Sequence, residues 1–386
     1  MDGDFSETNG FQRLRASDPV HLAADACLSI RRPGMECGLC REACPAGVLS
    51  GGLWSIKLET QGCIGCGICA ATCPTGAIRV EGFDLPHTPK PAEPVKAARP
   101  LECRRVPEAL RADGAEVVPC LGGLTAPDLI DRAAEGATIM DRGWCADCPV
   151  GHCPAPWEAT LSAAQDLLAL ADAGLPARLS VAKAPLPAQA ALPVAALRPE
   201  LIPSRRDFFR RLVAPAPEPH SPEESRRIVF SRGLVRPIAR QRSLERLRGL
   251  TDGALPPGVM PAVTINSAGC DLHGICAAIC PTGALRLSEP DGATLAIDYD
   301  ATACISCGEC QRVCPGKALS LNPAGNGAVP QGRETLVTRA RGTCVACGDT
   351  FAQGAGEPEL YCIPCRNSRS LMQGMSQLRG GNLPLA

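Results

Sequence analysis

Aromatic residues are scarce in this chain of 386 residues, which has seven Phe, three Trp and two Tyr. That scarcity argues against a single large apolar core and for small modules held together by something else. No stretch approaches the ~18 consecutive apolar residues of a membrane-spanning helix. The opening residues, MDGDFSETNGFQRLRASD, lack the apolar h-region of an export signal. The net charge is only −1, so no global field directs the chain to nucleic acid or an anionic membrane. No GxGxxG turn leads a βαβ unit and no C-x2-C-H haem attachment site is present, which leaves a dinucleotide-dependent dehydrogenase and a c-type cytochrome unsupported.

Cysteine, by contrast, is abundant: 24 Cys stand beside 39 Gly and 37 Pro. Without an export signal, disulfides are a poor explanation for so many thiols. The expectation is a soluble cytoplasmic protein, in a reducing compartment, whose thiolates hold metal.

The strongest organising signal is repetition. Four segments end in Cys-Pro, a turn and a short apolar run: CPAGVL from Cys44, CPTGAI from Cys73, CPTGAL from Cys280 and CPGKAL from Cys314. Residues 63–74 (CIGCGICAATCP) and 304–315 (CISCGECQRVCP) follow the C-x2-C-x2-C-x3-C-P spacing. In such a run a tight loop wraps three thiolates around one cluster, and the fourth Cys turns toward a neighbouring one. Small residues at Gly65, Gly67 and Gly308 let backbone N–H groups approach the sulfurs.

Both pairs resemble the bacterial-type two-cluster (2x 4Fe-4S) ferredoxin family, present here as modules at 26–84 and 262–322. That resemblance implies a ferredoxin-like α+β fold, electron transfer without catalytic activity of its own, and crossed ligation. One 4Fe-4S cluster would then use Cys63, Cys66, Cys69 and Cys44, and another Cys304, Cys307, Cys310 and Cys280. The partner motifs depart from the family pattern. In the first module the ligands would be Cys27, Cys37, Cys40 and Cys73, with nine residues between the first two; the alternative is that Cys27 is a free thiol. In the second the ligands would be Cys270, His273, Cys276 and Cys314, with His273 where a Cys normally stands. Either its imidazole ligates iron, or a 3Fe-4S cluster sits beside an idle histidine. The chain would thus carry three or four 4Fe-4S clusters.

Residues 98–183 alternate short apolar runs with helical stretches, which predicts a small parallel α/β domain. Cys103 and Cys120 close the first two expected strands and Cys145 and Cys148 follow the third, so all four fall at the carboxyl edge where open sheets bind ligands. They form a candidate further iron-sulfur site, with His152 and Cys153 as substitutes; zinc, a redox dithiol and plain burial are the alternatives. The strings PCLGGL and WCADCPVG are similar to the iron-sulfur delta subunit linking hydrogenases to heterodisulfide-reductase-type complexes, which implies a partner of that kind.

Residues 85–97 read as a linker. The Pro/Ala/Arg-rich segment 184–258 reads as a second, extended linker with short helical pieces. Within it Ser204-Arg205-Arg206-Asp207-Phe208-Phe209 looks like a twin-arginine motif without the apolar stretch that export needs. It suggests either a turn pinning two Phe side chains or docking on the machinery of a molybdenum-type oxidoreductase, and hence a maturation factor as the second functional reading. Arg-rich 226–248 is the main hint of nucleic-acid binding, which near-zero charge disfavours. Cys344, Cys347, Cys362 and Cys365 form two knuckles within a zinc ribbon at 336–370, ahead of a tail at 371–386. Zinc is preferred to rubredoxin-type iron because no aromatic-rich core surrounds the knuckles.

Overall fold

A computed structural model describes residues 11–14, 19–32, 35, 37–51, 55–58, 62–83, 98–150, 157–172, 174–197, 233–251, 255, 258–325, 332–353 and 360–380. The chain divides into two units, 1–259 and 260–386. The twin-arginine-like residues 204–209, and His152 and Cys153, lie outside the described residues.

The first unit begins with strands too short to hold a core by themselves. β1 (Phe11–Arg13), β2 (Val20–Ala23) and, after three one-turn helices α1 (Leu28–Arg31), α2 (Leu39–Glu42) and α3 (Ile68–Ala71), β5 (Ile78–Val80) form one sheet in the order β1-β2-β5. Between α2 and α3, β3 (Leu49–Ser50) pairs with β4 (Lys57–Leu58). Val20 faces Val80 and Leu22 faces Ile78 across the antiparallel β2–β5 pair, and all four are buried. This corrects the expected boundary at residue 26. The segment VHLA is the middle strand of the module's sheet, and its continuous burial leaves none of the alternation by which a strand is recognised.

Residues 98–183 contribute four strands to one sheet. β6 (Arg99–Cys103), β7 (Glu116–Val118), β8 (Ala137–Asp141) and β9 (Leu179–Lys183) lie in the order β7-β6-β8-β9, every neighbouring pair parallel. α4 (Ala126–Ala133) and α5 (Glu158–Ala171) are the connecting helices. Thr125 starts α4 with a reciprocal capping box, accepting from the Asp128 N–H while the Asp128 carboxylate accepts from the Thr125 N–H. Leu101, Ile139, Leu129, Ile130 and Leu168 form the buried centre. Beside them on β6, Glu102 is fully buried and paired with Arg142, which also donates to the carbonyls of Ala184 and Leu110 at 3.1 Å.

Within the Pro/Ala/Arg-rich segment, the described residues 184–197 and 233–251 make contacts with the rest of the unit. Leu192 and Arg105 exchange hydrogen bonds, and Leu197 is buried. A 13-residue helix, α6 (Ile238–Leu250), packs on α4. Its start is fixed to the ferredoxin part, where the Ala239 N–H donates to the Thr75 carbonyl at 2.9 Å. Its flank is fixed to the parallel layer by ion pairs from Arg242 to Asp128 (3.2 Å) and from Arg246 to Asp131 (2.5 Å). These arginines therefore serve internal packing.

In the second unit β10 (Ala262–Ile265) pairs with β13 (Leu319–Asn322), and α7 (Ile275–Ile279) and α8 (Glu309–Arg312) carry the cysteine loops. β11 (Leu285–Ser288) and β12 (Thr294–Tyr299) form a hairpin, which β14 (Glu334–Thr343) and β15 (Thr350–Ala352) extend to four strands. The C-terminal knuckles thus share a sheet with the second cysteine module. Their strand starts at Glu334, and helix α9 (Ile363–Gly380) runs past the expected end of the ribbon at 370. Among the described residues no helix is long and apolar enough to cross a membrane.

Candidate metal centres

Three cavities of similar size, with empty volumes of about 350, 320 and 340 Å³, are each lined by four thiols drawn from two sequence motifs. The first gathers Cys44 with Cys63, Cys66 and Cys69. The second gathers Cys27, Cys37, Cys40 and Cys73. The third gathers Cys280 with Cys304, Cys307 and Cys310. Cys27 is buried within its group, and the Ser29 hydroxyl donates to the Cys37 carbonyl at 2.7 Å, fastening the long loop between the first two thiols.

Backbone geometry explains how the short loops expose several thiols at once. Gly65 and Gly67 take φ of 66° and 77°, Ser306 and Gly308 take 54° and 73°, and Leu272 and Gly274 take 53° and 72°. Two left-handed residues flank the second ligand position in each loop, so His273 occupies the backbone setting of Cys66 and Cys307. The cost of a left-handed Leu272 and Ser306 is accepted in order to keep this loop shape. Cys276 has the Cys270 and Cys314 thiols as neighbours. The His273 Nε2 lies 3.6 Å from an Asp271 carboxylate oxygen.

N–H groups point at the sulfurs from the turns after three of the four repeated Cys-Pro pairs. Ala77 donates to Cys73 at 3.2 Å, Leu285 to Cys280 at 3.5 Å and Ala318 to Cys314 at 3.3 Å. Burial nonetheless dominates the thiols without metal. It pushes Cys27 up to about 11, Cys40 up to about 12 and Cys310 up to about 12, with neighbouring thiols adding to the rise. Such thiols ionise when a metal takes the proton's place, so cluster insertion releases protons. Cys69 is buried and feels Cys40 as well as its own group, so the two first-module sites are neighbours.

The family described as the 4Fe-4S dicluster domain matches residues 35–78 and again residues 266–318. The chain carries two ferredoxin-type dicluster domains. No curated protein matches it. Both dicluster matches exclude the middle segment, so nothing there extends the likeness to a delta subunit. Cys27 also precedes the first match, because the lengthened loop separates it from the other thiols in sequence while the fold returns it to them.

At the C-terminus Cys344, Cys347, Cys362 and Cys365 bring their sulfurs within 4.8 Å of one another. The Cys347 and Cys362 sulfurs are 3.7 Å apart. Metal–sulfur bonds of ~2.3 Å in a tetrahedron put neighbouring sulfurs ~3.8 Å apart, so this group fits a single tetrahedral ion. Cys344 is held down at about 6, chiefly by the backbone N–H of Cys362, against burial and with help from the N–H groups of Cys347 and Ala346.

The middle thiols also converge. Cys103 and Cys120 share a hydrogen bond that lowers Cys103 and raises Cys120. Cys145 has Cys103 and Cys148 as charged neighbours and is pushed up to about 11 by burial. Sequence reasoning had no signal for the groups around these four: Arg105, whose guanidinium donates to the Cys148 sulfur at 2.9 Å, and Trp157, whose indole N–H is turned toward Cys145.

Proposed function

We propose that this protein relays single electrons between redox protein partners through four clusters held by the two dicluster domains. The observation that carries the reading is the set of cavities, each lined by four thiols that come from two motifs. The ligands are Cys27, Cys37, Cys40 and Cys73 at site 1 and Cys44, Cys63, Cys66 and Cys69 at site 2. Site 3 takes Cys270, His273, Cys276 and Cys314, and site 4 takes Cys280, Cys304, Cys307 and Cys310. Each cluster, when bound, accepts and returns one electron. The chain buries the thiols to different degrees and directs N–H groups at several of them, which sets the potential. The ribbon thiols hold zinc as a structural ion, whose binding energy becomes folding energy. Partners of the molybdenum-type oxidoreductase or hydrogenase/heterodisulfide-reductase-type classes are those to which the sequence points. The maturation reading, suggested by the twin-arginine-like residues 204–209, outside the described residues, and by the ribbon, is not favoured by the dicluster domains.

Anaerobic purification of the full chain tests the proposal. The expected content is about sixteen irons with matching sulfide from the dicluster domains, plus zinc. A careful preparation holding about eight irons or fewer would leave one domain without its clusters and overturn the reading.

Site 3 gives a separate expectation. The left-handed Leu272 and Gly274 give His273 the same backbone setting as Cys66 and Cys307, which supports ligation, and an imidazole in place of a thiolate removes one negative charge from the cluster. Its potential should lie above those of the other three, and His273→Cys should lower it. His273→Ala should open one iron to loss. If redox-poised EPR shows the same three-iron signal in the wild type and in the alanine variant, His273 is a bystander.

A further inference from the structure

The four middle thiols lie at one edge of the parallel sheet: Cys103 at the end of β6, Cys120 just past β7, and Cys145 and Cys148 just past β8. The Pro119 carbonyl lies 3.6 Å from Cys103, and the Glu102 and Asp141 carboxylates stand near Cys103 and Cys145, yet a donor is directed at each of the four sulfurs. The Arg105 backbone N–H serves Cys103 and the Gly122 N–H serves Cys120. The Arg105 guanidinium serves Cys148, while its Nε is anchored on the Leu192 carbonyl at 2.7 Å. Trp157 is 3% exposed, and its indole N–H, beside Cys145, meets no acceptor at hydrogen-bonding distance. A donor directed at each of four thiols describes a cradle for an anionic group that takes thiolate ligands.

The same thiols abut site 2. Cys66 and Cys120 belong to one apolar cluster with Val150 and Leu197, and Ile64, Ile68, Cys103 and Cys148 pack against it. The approach depends on two glycines. A Cβ on Gly123 would collide with the Cys66 carbonyl oxygen and stand 2.8 Å from the Gly67 Cα, and one on Gly67 would stand 2.9 Å from the Gly123 Cα. Backbone meets backbone because neither residue has a side chain.

We infer that Cys103, Cys120, Cys145 and Cys148 hold an additional iron-sulfur centre, paired with site 2 across the apolar cluster that Cys66 and Cys120 share, and that Arg105 sets its potential. Position favours iron-sulfur over zinc, since a closed structural zinc site needs no thiol contact with a redox site. The guanidinium charge beside Cys148 favours the more negative, reduced state of such a centre and raises its potential. The pairing rests on the proposed relay function; the centre itself does not.

The test uses the full chain purified anaerobically, with iron, sulfide and zinc counted and EPR recorded at poised potentials. Cys148→Ser should lose the iron and sulfide of one centre, and the remaining site 2 signal should narrow and saturate at lower microwave power once its paramagnetic neighbour is gone. Arg105→Gln, which spares every ligand, should keep all the iron and move one midpoint to lower potential. Unchanged iron in Cys148→Ser, or loss of zinc instead, overturns the centre; an unaltered site 2 signal despite lost iron overturns the pairing. Cys63→Ser serves as the reference. If it too keeps all its iron, the relay reading has failed, whereas iron lost in Cys63→Ser but not in Cys148→Ser means that only this inference has.

Discussion

Cys44→Ser and Cys63→Ser are expected to abolish one and the same cluster, although 19 positions separate the two residues in sequence. Cys44 closes the first motif, yet its thiol lines the cavity of Cys63, Cys66 and Cys69 and not that of Cys37 and Cys40. The short helix α2 carries it there, since Cys40 sits within the helix and Cys44 lies just past its end. Cys73 makes the reciprocal crossing into the site of Cys27, Cys37 and Cys40. Serine removes the soft thiolate that iron prefers, so each variant should lose an entire EPR signal or convert it to a three-iron form. Spectra of both variants, with Cys73→Ser and Cys37→Ser as the second matched pair, check the assignment. Different signals lost within a pair would mean that each motif closes on its own cluster.

Glu102→Ala should produce the largest loss of stability in the parallel layer, ~3–5 kcal/mol, the range for stripping a buried ion pair of one partner. Glu102 has no exposed side-chain surface and accepts from both Arg142 and the Ala112 N–H, the latter at 3.1 Å. With its carboxylate gone, Arg142 stays in the core with its charge uncompensated. The pair replaced jointly, Glu102→Leu with Arg142→Met, should recover most of the loss because no lone charge remains. Two of the three tryptophans, Trp144 and Trp157, are buried in this layer, so fluorescence during urea unfolding follows it. A single variant that unfolds at the wild-type midpoint would contradict this account. Glu102 also precedes Cys103 on β6, so the single variant should disturb the middle thiols as well.

Cysteine spacing made the thiol groups legible because the loop that wraps them is local: Cys63, Cys66 and Cys69 need only a few residues of defined backbone. Alternating runs suggested strands and helices between 98 and 183, but not the order β7-β6-β8-β9 in which the strands lie. Long-range contacts were not legible. β2 is a strand by virtue of β5, nearly sixty positions on, and the sequence VHLA carries no turn or alternation signal of its own. α6 hides in a segment of low-hydrophobicity composition, and its arginines find their carboxylates more than a hundred positions away. Arg105 and Trp157 had no motif to announce them. The apolar cluster that Cys66 and Cys120 share joins two segments that each read as complete alone.

α6 gives the first unit a mechanical property. One end is pinned at Thr75 and the flank is pinned at Asp128 and Asp131, so the helix braces the ferredoxin strands against the parallel layer. The separation between Cys66 and Cys120 is therefore a fixed dimension of packed matter, not the outcome of an encounter. Exchange across it should be indifferent to solvent viscosity, while exchange with any separate protein slows as the medium thickens.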